Sequence, residues 1–139
     1  MKRSGSAVWQ GDLKSGKGRI SAQSGILSDA QYGFNTRFED GPGTNPEELI
    51  GAAHAACFSM ALSNMMGEDG ITPDEIATKA TVTLTMDGGP KITAVHLDVT
   101  AKVPGMSDED FQAVANKAKE GCPVSQVLNA DITMDAKLA

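Results

Sequence analysis

Apolar and polar residues alternate clearly along two stretches in the second half of the chain. In Ala80–Met86 every second residue is apolar and the residues between them are threonines. In Thr93–Val103 the apolar residues again occupy every second position, starting at Val95. A period of two is typical of a strand with one buried face. The intervening Asp87–Pro90 reads Asp-Gly-Gly-Pro, so the pattern predicts a β-hairpin with a tight turn.

A different pattern fills Leu49–Gly67, which contains no charged residue. Asn45 is a suitable N-cap and Pro46 suits the first helical position, so a helix is predicted from there to about Met66. Its residues are apolar or small nearly all round, which is typical of a helix covered on several sides. Length alone would permit a membrane span, but Gly, Ala and Ser together with His54 and Asn64 dilute the hydrophobicity. We therefore predict a buried central helix and no membrane partner.

The remaining segments complete an α+β pattern. Ser107 opens a helix that Gly121 ends, and Pro123 opens a shorter one. A last strand is predicted over Asp131–Leu138, and residues 6–40 are interpreted as short strands and turns, including a strand over Tyr32–Glu39. The order predicts one α+β domain over residues 1–139 with antiparallel sheets.

Composition and charge narrow the classes of function. The formal net charge is −6 and the isoelectric point is about 4.8, which argues against a nucleic-acid-binding protein. The N-terminal residues lack the apolar region of a secretory signal, so we expect a cytoplasmic protein. In a reducing compartment, two cysteines favour a transient or catalytic thiol pair over a structural disulfide. No phosphate-binding loop or Ser-His-Asp pattern stands out in the sequence. No cofactor is expected.

Cys57 lies in the middle of the predicted apolar helix. Most free cysteines in such positions are small buried hydrophobes. Burial raises the pKa of a thiol, so a reactive Cys57 needs a cation from elsewhere in the fold. Arg37 is a candidate because it is the only charged residue between Asp29 and Glu39. The alternative for Arg37 is an ordinary surface arginine on a strand.

Cys122 has different surroundings, immediately before Pro123 at the start of a predicted short helix. Exposed backbone N–H groups there favour a thiolate, and the alternative for Cys122 is a simple capping residue. His54 lies three positions before Cys57 on the same helical face. A zinc site of His54, Cys57 and Cys122, or a Cys–His pair, could be drawn from these residues. Because neither a CxxC nor an HxxxH motif accompanies the histidine, no metal site is predicted.

Glu47 falls in the first turn of the same helix, ten positions before Cys57. Ten positions in a continuous helix correspond to about 15 Å, so these two side chains cannot touch within one helix. If both belong to one active site, a second copy of the chain would have to supply one of them. Otherwise Glu47 only complements the helix dipole.

Three segments together resemble the OsmC/Ohr family, and most closely its osmotically inducible protein C branch. They are FNTRFE at 34–39, GTNPEELIGAAHAACFSM at 43–60 and KAKEGCPVSQVL at 117–128. The resemblance extends over essentially the whole chain, including VWQGDLKSGKGRIS near the N-terminus. The two cysteine motifs in this order are much more specific than either motif alone.

The resemblance implies a thiol-dependent peroxidase that reduces organic hydroperoxides, with an intertwined homodimer as its fold. Cys57 matches the attacking cysteine of the family and Cys122 its resolving cysteine. Arg37 and Glu47 match the arginine and glutamate of the family's active site. The reductant implied is a dithiol such as dihydrolipoamide, free or on a lipoylated protein. Phe38, Phe58 and Met60 are our candidates for apolar surroundings that would favour an organic substrate.

Two other interpretations compete with the peroxidase. A stress-sensing module would use the cysteines as a reversible redox switch and show negligible turnover. A purely structural dimer would bury both thiols and protect them from alkylation in the folded state.

Overall fold

A computed structural model describes all residues 1–139, and the chain divides into two compact units, Met1–Leu49 and Ile50–Ala139. Each unit has its own three-stranded sheet. The one-domain assignment stays a prediction. The elements in chain order are β1 Gly5–Gln10, β2 Lys17–Ala22, β3 Ala30–Tyr32, α1 Phe34–Phe38, α2 Pro46–Glu68, β4 Glu75–Thr85, β5 Lys91–Lys102, α3 Asp108–Gly121, α4 Pro123–Val127 and β6 Asp131–Leu138.

The sheet of the first unit is antiparallel and has the strand order β1-β2-β3. A ring contact supports it from one face, since the ring centroids of Trp9 and Tyr32 lie 5.6 Å apart. Gly18 pairs with Tyr32 across β2 and β3, and a Cβ atom at Gly18 would clash with the tyrosine ring. Glycine at this position therefore lets the aromatic ring lie flat against the strand.

The strand predicted over Tyr32–Glu39 is wrong beyond its first residue. β3 ends at Tyr32, and Phe34–Phe38 forms the short helix α1. The Thr36 hydroxyl accepts a hydrogen bond from the Gly33 N–H at 2.9 Å, which competes with strand pairing at this point. The rings of Phe34 and Phe38 lie 4.9 Å apart, a contact that helical i,i+4 spacing produces. Arg37 is consequently on a helix and not on a strand.

The start of α2 is where Asn45 and Pro46 predicted it. The Asn45 side-chain oxygen accepts a hydrogen bond from the Glu48 N–H at 2.8 Å, as an N-cap does. The amide group of the same side chain donates to the Thr36 carbonyl at 3.0 Å. Asn45 thus links the end of α1 to the first turn of α2, and this connection positions Glu47 relative to Arg37.

The second sheet has the order β4-β5-β6 and contains the predicted hairpin of β4 and β5. Gly88 and Gly89 adopt positive φ angles of 74° and 106° in its turn, which favours glycine at both positions. The expectation of purely antiparallel sheets is wrong, because β6 pairs with β5 in parallel. In the sequence, α3 and α4 connect β5 to β6. They return the chain to the end of the sheet at which β5 starts, as a parallel pair requires.

The core of the second unit lies between α2, the inner face of this sheet and α3. It consists of buried side chains from all three, namely Phe58, Leu62, Met66, Val95, Leu97, Val99, Ala101, Val103, Phe111, Ala115, Ala118 and Cys122. On α2 the buried positions recur every fourth residue from His54 to Met66. This recurrence places one face of the helix against the core.

The opposite face of α2 is exposed, so the prediction of a buried central helix holds for one side only. Between Gly51 and Gly67 its exposed residues are apolar or small apart from the polar Asn64, namely Ala52, Ala53, Ala56, Met60 and Ser63. An 18-residue stretch of the helix has a mean hydropathy of 1.3, so the helix is long and apolar enough to cross a membrane if only length and composition are considered.

Candidate active site

Cys57 and Cys122 come together in the second unit, and both are free thiols. Cys57 is partly buried on α2 and packs against the core cluster that contains Cys122. Burial raises the pKa of the Cys57 thiol above its usual value of 9.0, and a side-chain hydrogen bond and charge interaction with Cys122 raise it further. The backbone N–H of Val124 acts in the opposite direction. The Cys122 side chain is therefore close enough to Cys57 to influence the ionisation of the Cys57 thiol.

Cys122 is the residue that connects helices α3 and α4. It ends α3, where its N–H donates to the Ala118 carbonyl at 2.9 Å, and it is the N-cap of α4. Its Sγ atom accepts hydrogen bonds from the Ser125 N–H at 3.4 Å and from the Ser125 hydroxyl at 3.5 Å. The side chain is fully buried, and Ser125 and Cys57 supply its polar contacts.

His54 is a third member of this cluster. It is fully buried, and its Nε2 lies 2.7 Å from Ser125 Oγ. Its Nδ1 is buried without a hydrogen-bond partner. Burial lowers the pKa of His54 below its usual value of 6.5, so the imidazole is neutral at neutral pH. Sequence reasoning considered His54 only as a metal ligand or a direct partner of a cysteine, and it missed Ser125, which stands between His54 and Cys122.

The pH dependence of stability should reflect the burial of His54. Below pH 6.5 the unfolded chain binds a proton at this histidine before the folded chain does. Protonation therefore favours unfolding, and the free energy of unfolding should fall as the pH drops from 6.5 towards the lower pKa of the folded state. Urea denaturation over a pH series should show this slope in the unaltered chain and a shallower slope in His54→Gln. Identical slopes in the two proteins would contradict it.

Arg37 and Glu47 form the second pair of predicted site residues, and both belong to the first unit. The Arg37 Nη2 atom lies 2.7 Å from Glu47 Oε1, and its Nε donates to the same carboxylate at 3.1 Å. Glu47 is buried, with 9% of its surface exposed, so the pair is shielded on the carboxylate side. The guanidinium and the carboxylate therefore form a bidentate ion pair. The Arg37 guanidinium also lies 5.6 Å from the centre of the Phe38 ring.

The candidate apolar surroundings differ in their placement. Phe58 is fully buried in the core of the second unit, so its role is packing. Met60 is 75% exposed on the uncovered face of α2. Phe38 lies beside Arg37, with its ring centre 5.6 Å from the guanidinium.

His96, on β5, makes polar contacts with side chains of both β5 and β6. Its Nδ1 lies 2.6 Å from Thr133 Oγ1 and its Nε2 lies 3.2 Å from a carboxylate oxygen of Asp135. Asp98 adds a second carboxylate at 3.5 Å. This exposed cluster joins β5 to β6 on the outer face of the sheet, where ion pairs stabilise a fold only slightly.

The second unit and the paired thiols define a class of protein, an α+β protein with a redox-capable dithiol. The family model described as "OsmC-like protein" matches residues 39–137. Peroxiredoxin OsmC of Escherichia coli (strain K12) is 57% identical over 137 residues, which cover 98% of this chain and 96% of that protein. The chain belongs to the OsmC-like family.

Two further similarities concern proteins of Bacillus subtilis. Organic hydroperoxide resistance protein OhrB of strain 168 is 36% identical over 124 residues, which cover 86% of this chain and 89% of that protein. The crystal structure of OhrB from Bacillus subtilis has a TM-score of 0.73, with 29% identity, and the match covers 96% of this chain and 98% of that one. The similarity confirms the predicted OsmC/Ohr fold. The relatives support a peroxidase-type redox role.

Proposed function

We propose that the chain is a thiol-dependent peroxidase that reduces organic hydroperoxides to alcohols. The observation that carries this proposal is the adjacency of two free thiols, Cys57 and Cys122, in the second unit. The Cys57 thiolate attacks one oxygen of the hydroperoxide, so that an S–O bond forms as the O–O bond breaks. Cys57 becomes a sulfenic acid, and the alkoxide that leaves takes a proton and becomes an alcohol.

Cys122 resolves the sulfenic acid. Its sulfur attacks the Cys57 sulfur, the disulfide forms, and the sulfenic hydroxyl leaves with the proton of the Cys122 thiol as water. An external dithiol then reduces the disulfide in two exchange steps and is itself oxidised to a disulfide. Dihydrolipoamide, free or on a lipoylated protein, is the reductant proposed here, and the reducing cytoplasm is the compartment proposed.

Arg37 supplies the cation that Cys57 needs. Because burial raises the pKa of Cys57, a neighbouring positive charge is required for a thiolate at neutral pH. Glu47 orients the guanidinium through the bidentate pair. Glu47 and Cys57 are ten positions apart on the continuous helix α2, so we propose that the Arg37–Glu47 pair acts on the Cys57 of a second copy.

A homodimer is supported by what each unit leaves uncovered. The first unit buries only Gly18, Gly33, Thr36 and Glu47, and none of its large apolar side chains. In the second unit, the small and apolar face of α2 is exposed. Surfaces of this kind are typical of regions that another protein surface covers. A second copy that packs against both would complete the core of the protein.

The proposal is tested by steady-state turnover. With cumene hydroperoxide as substrate and dihydrolipoamide as reductant, the unaltered chain should consume many equivalents of hydroperoxide and form the alcohol stoichiometrically. The names of the relatives favour an organic hydroperoxide as substrate. A stress-sensing module would instead form the disulfide once and then stop, even with excess dithiol. That result, measured on protein whose thiols titrate fully before the assay, would contradict the proposal.

A further inference from the structure

His54, Ser125 and Cys122 form a continuous line of polar contacts inside the second unit. His54 Nε2 lies 2.7 Å from Ser125 Oγ, and the Ser125 hydroxyl lies 3.5 Å from Cys122 Sγ. The Ser125 N–H adds a contact of 3.4 Å to the same sulfur. The peroxidase steps described above need only the two cysteines, the arginine and the glutamate. A fully buried histidine with an unpartnered nitrogen therefore requires its own explanation.

The contacts favour one arrangement of protons. His54 is neutral, so one ring nitrogen carries a hydrogen and the other accepts. A hydrogen on Nδ1 would be a buried donor without an acceptor, whereas a hydrogen on Nε2 has Ser125 Oγ at 2.7 Å. With Nε2 as donor, the serine hydroxyl hydrogen is free to point at Cys122 Sγ. The sulfur then receives two hydrogen bonds from Ser125, and His54 fixes the direction of one of them.

We propose, on the basis of the peroxidase function above, that His54 and Ser125 are positioning residues that make Cys122 the leaving group when the disulfide is reduced. Hydrogen bonds to sulfur favour its charged form, and a stabilised thiolate leaves faster in thiol–disulfide exchange. The accessibility of the two sulfurs to the reductant also favours Cys122 as the leaving group, because Cys57 is partly exposed and Cys122 is fully buried. The reductant therefore attacks Cys57.

The exchange is balanced as follows. The thiolate of the reductant forms a bond to Cys57 Sγ, the Cys57–Cys122 bond breaks, and the electron pair of that bond stays on Cys122 as a thiolate. The Ser125 N–H and hydroxyl stabilise this thiolate until it takes a proton from water. The second thiol of the reductant then attacks its own sulfur in the mixed disulfide and releases the Cys57 thiolate.

The experiment measures the opening of the disulfide and needs no hydroperoxide. Protein is oxidised with diamide, opened with 2-mercaptoethanol, quenched with iodoacetamide and mapped by peptide mass spectrometry. Ser125→Ala and His54→Leu each remove a hydrogen-bond donor from the line of contacts that ends at Cys122. His54→Gln keeps an N–H donor in the place of Nε2. Ser59→Ala is the matched control, because Ser59 also loses a side-chain bond, 2.8 Å to Thr78 Oγ1, but contacts neither thiol.

The unaltered protein should carry the mercaptoethanol adduct on Cys57, with Cys122 alkylated by iodoacetamide. Ser125→Ala should open about tenfold more slowly, as expected for the loss of one hydrogen bond to a charged group, and should carry more of its adduct on Cys122. His54→Leu should behave similarly, while His54→Gln and Ser59→Ala should match the unaltered protein. Equal opening rates in all variants, an adduct mainly on Cys122 in the unaltered protein, or no internal disulfide after diamide would each overturn the inference.

The experiments distinguish a failure of the peroxidase proposal from a failure of the role proposed for His54 and Ser125. If the disulfide opens in the expected pattern but the protein does not turn over hydroperoxide, only the peroxidase proposal fails. If turnover is normal and Ser125→Ala and His54→Leu open like the unaltered protein, only the role of Ser125 and His54 fails. Because two different positions interrupt the same contacts, one of them can misfold without removing the test.

Discussion

Replacement of Cys57 by serine is expected to abolish the turnover of cumene hydroperoxide. The serine hydroxyl has nearly the same size but does not ionise at neutral pH, so the nucleophile that attacks the O–O bond is lost. The loss of a nucleophile typically removes at least about a thousandfold of activity, which here brings the rate to the background. The measurement is the dihydrolipoamide-dependent loss of hydroperoxide, at equal protein concentration and with unfolding temperatures recorded for both proteins.

The matched control is Cys122→Ser, which removes the other thiol of the same pair. This variant keeps Cys57 and should consume about one equivalent of hydroperoxide per chain, which reports the first oxidation step. It should then stop, because without Cys122 no internal disulfide forms for the dithiol to reduce. Normal turnover by Cys57→Ser would contradict the proposed chemistry whatever Cys122→Ser does.

The elements that sequence reasoning predicted correctly are those encoded by local residues. Asn45 and Pro46 mark the start of α2, and Asp87–Pro90 marks the turn between β4 and β5. Such signals depend only on neighbouring side chains and on glycine or proline backbone preferences. Segments of this kind could therefore be assigned before any tertiary contact was known.

The two wrong predictions concern segments whose structure depends on distant residues or on competing local hydrogen bonds. The pairing of β6 with β5 depends on how α3 and α4 return the chain, and the alternation within Asp131–Leu138 is the same for both directions of pairing. At Phe34–Phe38 the hydrogen bonds of Thr36 with Gly33 and the ring contact of the two phenylalanines stabilise a helix. A search for alternation alone could not detect either effect.

The candidate site also combines residues that local sequence identifies with residues that only tertiary contacts bring together. Cysteine is recognisable by its chemistry, and the resemblance to a family supplied the roles of Arg37 and Glu47. Nothing local connects His54 to Ser125, which are separated by 71 positions and meet only because α4 packs beside α2. The serine three residues after Cys122 is a weak signal on its own, since Ser125 could equally have been an exposed helix residue.

Replacement of Arg37 by methionine should produce the second large effect. Without the guanidinium, the pKa of Cys57 stays above 9.0 because of burial. A thiol with a pKa above 9.0 is at most about 1% ionised at neutral pH, so the reaction of Cys57 with hydroperoxide should slow at least about a hundredfold. The rate in Arg37→Met should then rise with pH as the thiol deprotonates, whereas the unaltered protein should already react rapidly at neutral pH. Stopped-flow oxidation over a pH series measures both.

Arg37→Lys is the control for this change, since it keeps the charge but loses the bidentate geometry with Glu47. It should recover part of the rate at neutral pH, because a positive charge alone favours the thiolate. A pH profile of Arg37→Met that matches the unaltered protein would exclude Arg37 as the source of the Cys57 thiolate.

In the proposed homodimer, mixed dimers test whether Arg37 acts on the Cys57 of its own chain or on that of its partner. Arg37→Met keeps Cys57, and Cys57→Ser keeps Arg37, so each homodimer should be nearly inactive. If Arg37 serves the other copy, a dimer of one chain of each kind contains one complete site, and activity should reappear when the two are unfolded and refolded together. If Arg37 serves its own chain, every site in the mixture lacks one of the two residues. The refolded mixture would then be as inactive as its components, and the proposal of a shared site would be wrong.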